Sequence, residues 1–197
     1  MAPQSLFTAS GQFDPQSLSP GAAQVMQALP GIAQRLAQDQ LCTPHLLFAL
    51  LEREGGEMER LLTQLGRSPA LLREAVAGLE RPVGPPVDPP ALEHARCTAR
   101  LRRILTRAGE LAGEGERHVQ ERDLLQALLE QAEGPTLELL RQMGLDPSQM
   151  LRRLSAPGGP EAEAPQETAF APDARQALAH ALREAAQAGR NRVETPH

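Results

Sequence analysis

The chain has 197 residues, 41% of them apolar and 23% charged, with a formal net charge of -5; that is enough for one helical domain with a real core or for two small ones. No Trp, no Tyr and only four Phe occur, which excludes sites that stack bases or sugar rings on aromatic faces. All 20 basic residues are Arg, so no catalytic lysine exists, and the mild acidity argues against a general polyanion binder such as a nucleic-acid protein.

In chain order, residues 1–12 read as a flexible lead-in with neither the basic start nor the apolar run of a signal peptide. No later stretch approaches the ~20 apolar residues that span a bilayer. Cys42 and Cys97 are too few to staple a domain and read as free thiols of a reducing cytoplasm. No C-x-x-C motif or Cys/His cluster offers a metal site, and nothing asks for a cofactor.

The first block, 13–81, reads as helix: Leu, Ala, Arg, Gln and Glu dominate, and only two Ile occur in the whole chain. Helices of about 8 to 14 residues are expected. Their starts are a capping side chain followed by proline, at Ser19-Pro20, Thr43-Pro44, Ser68-Pro69 and, later, Asp146-Pro147. Gly55-Gly56, Gly66, Gly134 and Gly144 read as stops. Pro30-Gly31 falls inside the first helical pattern and implies a kink or a split there. Residues 82–90 form a proline-rich linker, 91–154 a second helical block, and 155–169 a second linker. Residues 170–197 turn helical again.

Self-similarity organises these blocks. Shifted by 78 residues, Leu46–Pro69 lies on Leu124–Pro147 without a gap, and 12 of 24 positions are identical, both glycines and the proline among them. A shift of 152 lays Leu18–His45 on Phe170–His197, ending on a repeated Thr-Pro-His where the first copy continues into its leucine helix. The third copy therefore reads as a truncated repeat. Its apolar positions, Phe170, Ala177, Leu178, Ala181, Leu182 and Ala185, need a borrowed surface.

The segment Thr43-Pro44-His45-Leu46-Leu47-Phe48-Ala49-Leu50-Leu51, with Leu65-Gly66 downstream, resembles the Thr-x-His-Leu-Leu-x-Ala-Leu-Leu hallmark of the Clp N-terminal repeat family. Glu121–Leu129 with Met143-Gly144 is a looser second copy. The resemblance implies an all-α fold of two four-helix repeats about a pseudo-twofold axis, some eight helices, with one C-terminal helix from the truncated third repeat. It further implies a non-catalytic interaction module whose partners are a Clp-type ATPase, an adaptor protein or an unfolded client peptide. The chain has no G-x-x-x-x-G-K-[ST] phosphate loop and so is not the motor. In the branch of the family that reads phosphorylated arginine, an acidic residue stands between the Thr and the His of each repeat. Here Pro44 and Arg122 occupy those places, which argues against that ligand. The competing reading is a regulatory or sensor domain that binds a small molecule for another effector.

Six residues are candidates for partner binding. His45 reads first as a half-buried structural histidine and second as a contact or pH switch. Phe48, where the other copy has Gln126, is a candidate for asymmetry at a groove between the repeats. Arg96, Arg100, Arg103 and Arg107, at i, i+4, i+7 and i+11, form one basic stripe that reads as a solvated face or a docking strip for an acidic segment. His94 and Cys97 share a spacing but lack the orienting group and oxyanion site that a nucleophile pair needs. The paired leucines 46–47, 50–51, 124–125 and 128–129 read as core.

Overall fold

A computed structural model describes residues 6–8, 10–79, 87–114 and 118–155. Most of the proline-rich linker and the whole third half-repeat lie outside these residues. What is described is all-α. Repeat 1 comprises α1 (Pro20–Arg35), α2 (Thr43–Glu52), α3 (Glu57–Gln64) and α4 (Pro69–Leu79). Repeat 2 comprises α5 (Ala99–Glu114), α6 (Glu121–Glu130), α7 (Gly134–Gln142) and α8 (Pro147–Ser155). Short 3-10 turns, Pro15–Ser17 and His94–Arg96, lead into α1 and α5.

The leucine pairs explain the layering. Every residue of α2 from His45 to Leu51 is buried, so this helix cannot sit on a surface. It lies at the centre with α6, whose Leu124, Leu125 and Leu128 are equally buried. α1 packs on α2 as α5 packs on α6, and α2 meets both α6 and α7 while α3 meets α6. Each repeat thus closes its apolar stripe on the other.

Backbone pairing shows the pseudo-twofold exchange. Leu18, just before α1, bridges Val119, just before α6, and Cys97, just before α5, bridges Leu41, just before α2. The hydrogen bonds correspond one for one. Ser19 N–H donates to the Val119 carbonyl at 2.9 Å and Val119 N–H to that of Ser17 at 3.0 Å, while Thr98 N–H donates to Leu41 and Leu41 N–H to Arg96, both at 2.9 Å.

Several local readings need correction. α1 and α5 each run 16 residues, longer than expected. α1 continues through Pro30 without a split: Leu29, Ile32 and Ala33, on either side of the break, are fully buried, and that burial outweighs the ~3 kcal/mol a helix-interior proline costs. Thr43 is the first residue of α2, not its cap, and Cys42 stands at the N-cap. Gly134 opens α7 instead of ending α6. Gly66 and Gly144 do stop helices: both have positive φ, and the next N–H reaches back to Leu62 and Leu140. α1 ends the same way with Ala37 in the glycine position, at φ 53°. The lead-in before residue 13 is partly packed, since Leu6 is buried and Phe7 bridges Phe13. His94 N–H donates to the Gly11 carbonyl, tying this turn to the entry of repeat 2.

Candidate partner-docking surfaces

The Thr-x-His segment is a helix start. The Nδ1 of His45 accepts from the Cys42 N–H at 3.1 Å, closing a capping box over the first turn of α2. In repeat 2 the same work falls to Asp123, whose carboxylate accepts from the Gln120 N–H at 2.7 Å. His45 is fully buried, and burial pulls its pKa down to about 4, so it stays neutral and offers no surface to a partner. Phe48 is also interior, whereas its counterpart Gln126 is half-buried and donates to Glu130. The asymmetry is real but lies inside the core. Of the two positions between these residues, Pro44 is half-buried and Arg122 is exposed, its guanidinium donating to the Leu154 carbonyl at the end of α8.

The basic stripe is shorter than its spacing implied. Arg96 belongs to the 3-10 turn before α5, so only Arg100, Arg103 and Arg107 share the helix. Arg100 and Arg103 both reach Glu133, at 2.8 and 3.1 Å, and Arg107 reaches Glu130 at 2.8 Å and Glu110 at 3.3 Å. Against the burial that would raise it, bonds from Arg107 and Gln126 hold Glu130 below the usual carboxylate range. The α5 face is therefore a ladder of arginines and glutamates. Arg103 remains 64% exposed, and Arg96 is exposed and makes no ion pair among the described residues.

His94 and Cys97 do not form a pair. The His94 ring lies edge-on to Phe7, centroids 5.5 Å apart, while the Cys97 thiol points to the Glu93 carbonyl. Burial pushes Cys97 up to about 11 and raises Cys42 as well, so neither supplies a thiolate near neutral pH. Both are free thiols. Among the described residues no cluster of His, Cys, Asp and Glu could hold a metal ion, and no helix is long and apolar enough to cross a membrane.

One polar feature at the repeat interface escaped sequence reasoning. Glu121, first residue of α6, pairs with Arg53 at 2.6 Å and accepts from the Glu57 N–H at the start of α3 at 2.8 Å. Arg53 also donates to Gln24 of α1. Glu121 is only 7% exposed at its side chain, and burial raises its pKa against the pull of the Glu57 N–H and Arg53. Its counterpart Thr43 has a buried hydroxyl with no partner among the described residues. The reason is visible one repeat over: the counterpart of Glu57 is Pro135, which has no N–H to give. The mismatch of Thr43 with Glu121 in the internal alignment was the available signal.

Two interlocked four-helix repeats with a buried helix pair and a charged outer face define a class of helical interaction module. The Clp repeat (R) N-terminal domain model matches residues 17–120 and again 96–197. The chain belongs to this family, and it is a non-catalytic protein-interaction module of that type. Each match takes in one repeat and continues past it, the second running on to His197. Among curated proteins none matches. The solved structures that share the fold include two N-terminal domains. The N-terminal domain of Hsp104 from Candida albicans is 16% identical with a TM-score of 0.57, over 70% of this chain and 88% of that one. The N-terminal domain of the caseinolytic protease associated chaperone ClpD from Arabidopsis thaliana is 17% identical with a TM-score of 0.55, over 73% and 96%.

Proposed function

We propose that the domain docks adaptor proteins or unfolded client segments for a Clp-type ATPase, in a reducing cytoplasm where both thiols stay free. The observation that carries this reading is the two-repeat Clp architecture, matched along nearly the whole chain and shared with the N-terminal domains of Hsp104 and of the chaperone ClpD. The exposed arginines support an acidic partner. Surface ion pairs are worth ~1 kcal/mol or less each, so an incoming carboxylate can exchange with Glu133 for Arg100 and Arg103 at small cost. Arg96 and Arg107 extend the strip at its two ends, while His45 and Phe48 contribute by holding α2 in place.

The test is co-elution of the full chain with a purified Clp-type ATPase and with unfolded casein. Capture of either, weakened several-fold by Arg100→Ala with Arg103→Ala and by raised salt, is the expected result. Failure to retain both at tens of micromolar protein would refute the reading.

A further inference from the structure

The gapless alignment of the repeats gives each position of one a counterpart in the other, and at one place the counterparts differ in kind. In repeat 1, where the end of α2 meets α3 and α4, an ion pair fills the space between the helices. Arg73 of α4 donates through Nε to the Leu51 carbonyl at 2.8 Å and pairs with Glu59 of α3. Glu59 is steadied by the Gly55 N–H at 3.0 Å. The counterparts of Arg73 and Glu59 in repeat 2 are Leu151 and Leu137. Where the ion pair would sit there is an open cleft of about 600 Å³, lined by these two and by Leu129, Ala132 and Leu145. That volume falls within the ~300–1,000 Å³ of ordinary ligand pockets. The substitution is systematic, since Ala132 stands for Glu54 and Leu145 for Arg67. Four charged positions have become apolar on one side of one repeat.

Charge of both signs stands at the mouth, and the carboxylates are the groups already engaged. Glu130 and Asp146 stand at the rim, but both are engaged, Glu130 by Arg107 and Gln126 and Asp146 by the Ser148 N–H that it caps. Arg141, exposed at the end of α7, makes no side-chain contact of this kind among the described residues. Arg67 reaches across from repeat 1 to the Gly144 carbonyl at 3.1 Å, which adds a second cation. Leucines form the apolar floor, and among the described residues no buried polar side chain lines it to orient a small polar ligand.

We propose that this cleft between α6, α7 and α8 is a peptide-docking site that takes a large apolar side chain of a partner segment, with an adjacent acidic residue paired to Arg141. The site rests on the reading of the chain as a protein-binding module and adds a second, apolar contact to the α5 face.

The probe is a fluorescein-labelled twelve-residue peptide with a central Phe-Asp-Leu in a glycine–serine background, titrated against the full chain by anisotropy. Ala-Asp-Ala and Phe-Asn-Leu peptides serve as controls. Burying one such side chain changes affinity by about tenfold or more, so the Ala-Asp-Ala peptide binds at least that much more weakly. Leu137→Glu with Leu151→Arg rebuilds in repeat 2 the pair that repeat 1 carries; it lowers affinity about tenfold while the thermal midpoint is retained. Arg141→Ala, a surface change, abolishes the preference for Asp over Asn. Absence of binding by the wild type, or equal binding by both variants, overturns the proposal. So does a dimer that the double substitution dissociates, because the occupant would then be a second copy of the chain. If the double variant still captures casein and the ATPase and binds the peptide unchanged, the cleft falls and the module reading stands. If the wild type captures neither yet binds the peptide as described, the module's partner is wrong and the cleft stands.

Discussion

Replacing Arg53 by Met tests how the two repeats are braced. The substitution keeps much of the stem and removes the cation 2.6 Å from Glu121, leaving that carboxylate the Glu57 N–H alone. Stripping one partner from a buried ion pair costs ~3–5 kcal/mol. Arg53 is 26% exposed, so water reaches the site and the cost drops below that range, to about 2–3 kcal/mol. With a urea m-value of ~2 kcal/mol/M, the unfolding midpoint read by helical circular dichroism falls by about 1 M or more. The loss also depends on pH. Burial already holds Glu121 above the ordinary carboxylate pKa, so the folded chain keeps that proton to higher pH than the unfolded chain does. Charging it therefore weakens the fold as pH rises through the interval between the two values. Without Arg53 the interval widens upward, and the variant's deficit is larger at pH 7.5 than at pH 5. A deficit below about 0.5 kcal/mol at pH 7.5, or one equal at both pH values, would refute the brace.

Glycines give paired tests with opposite signs. A Cβ at Gly56 would meet the Glu121 carboxylate at 2.4 Å, so Gly56→Ala costs about 1–3 kcal/mol in thermal or urea unfolding. A Cβ at Gly31 meets nothing within 4 Å, so Gly31→Ala stabilises α1 by about 0.5–1 kcal/mol. Ala37→Gly relieves a left-handed alanine and stabilises by a similar amount in the same assays. Thr136 carries a buried hydroxyl with no partner among the described residues, and Thr136→Val raises stability by about 1 kcal/mol, read from the urea midpoint. His45 titrates at about 4 in the fold against 6.5 ordinarily, so the unfolded chain takes the proton first and stability falls as pH drops from 6.5 toward 4, by up to ~1.4 kcal/mol per pH unit. His45→Asn, which keeps an acceptor for the cap, flattens that slope when urea midpoints at pH 7 and pH 5 are compared.

The helices, the duplication and the buried leucines were legible because they are local or periodic. Paired leucines four apart, with proline after a cap and glycine after a turn, need no tertiary knowledge to read. What was not legible was decided by distant residues. The arginines of α5 read as a solvated face or a docking strip with no sign of their ion pairs, because the glutamates that meet them, Glu130 and Glu133, come from the end of α6 and the loop after it. His45, read as half-buried, and Phe48, read as lining a groove between the repeats, prove fully interior, which the pattern does not reveal because a helix buried on all sides has no polar face to betray its orientation. Pro30 implied a kink or a split because propensity weighs one residue at a time, while the packed side chains around it act together and keep the helix unsplit. Glu121 and the repeat 2 cleft are departures from internal symmetry, visible in an alignment of the chain with itself but interpretable only once the packing is known.

The crossed backbone bridges, Leu18 with Val119 and Leu41 with Cys97, make each half the template for the other. Neither can finish its first two helices until both are present, so the transition state must join remote stretches of chain, and folding is slower than in helical bundles whose contacts are local. A protease cut between the halves would leave two fragments that reassemble when mixed, neither of them stable on its own.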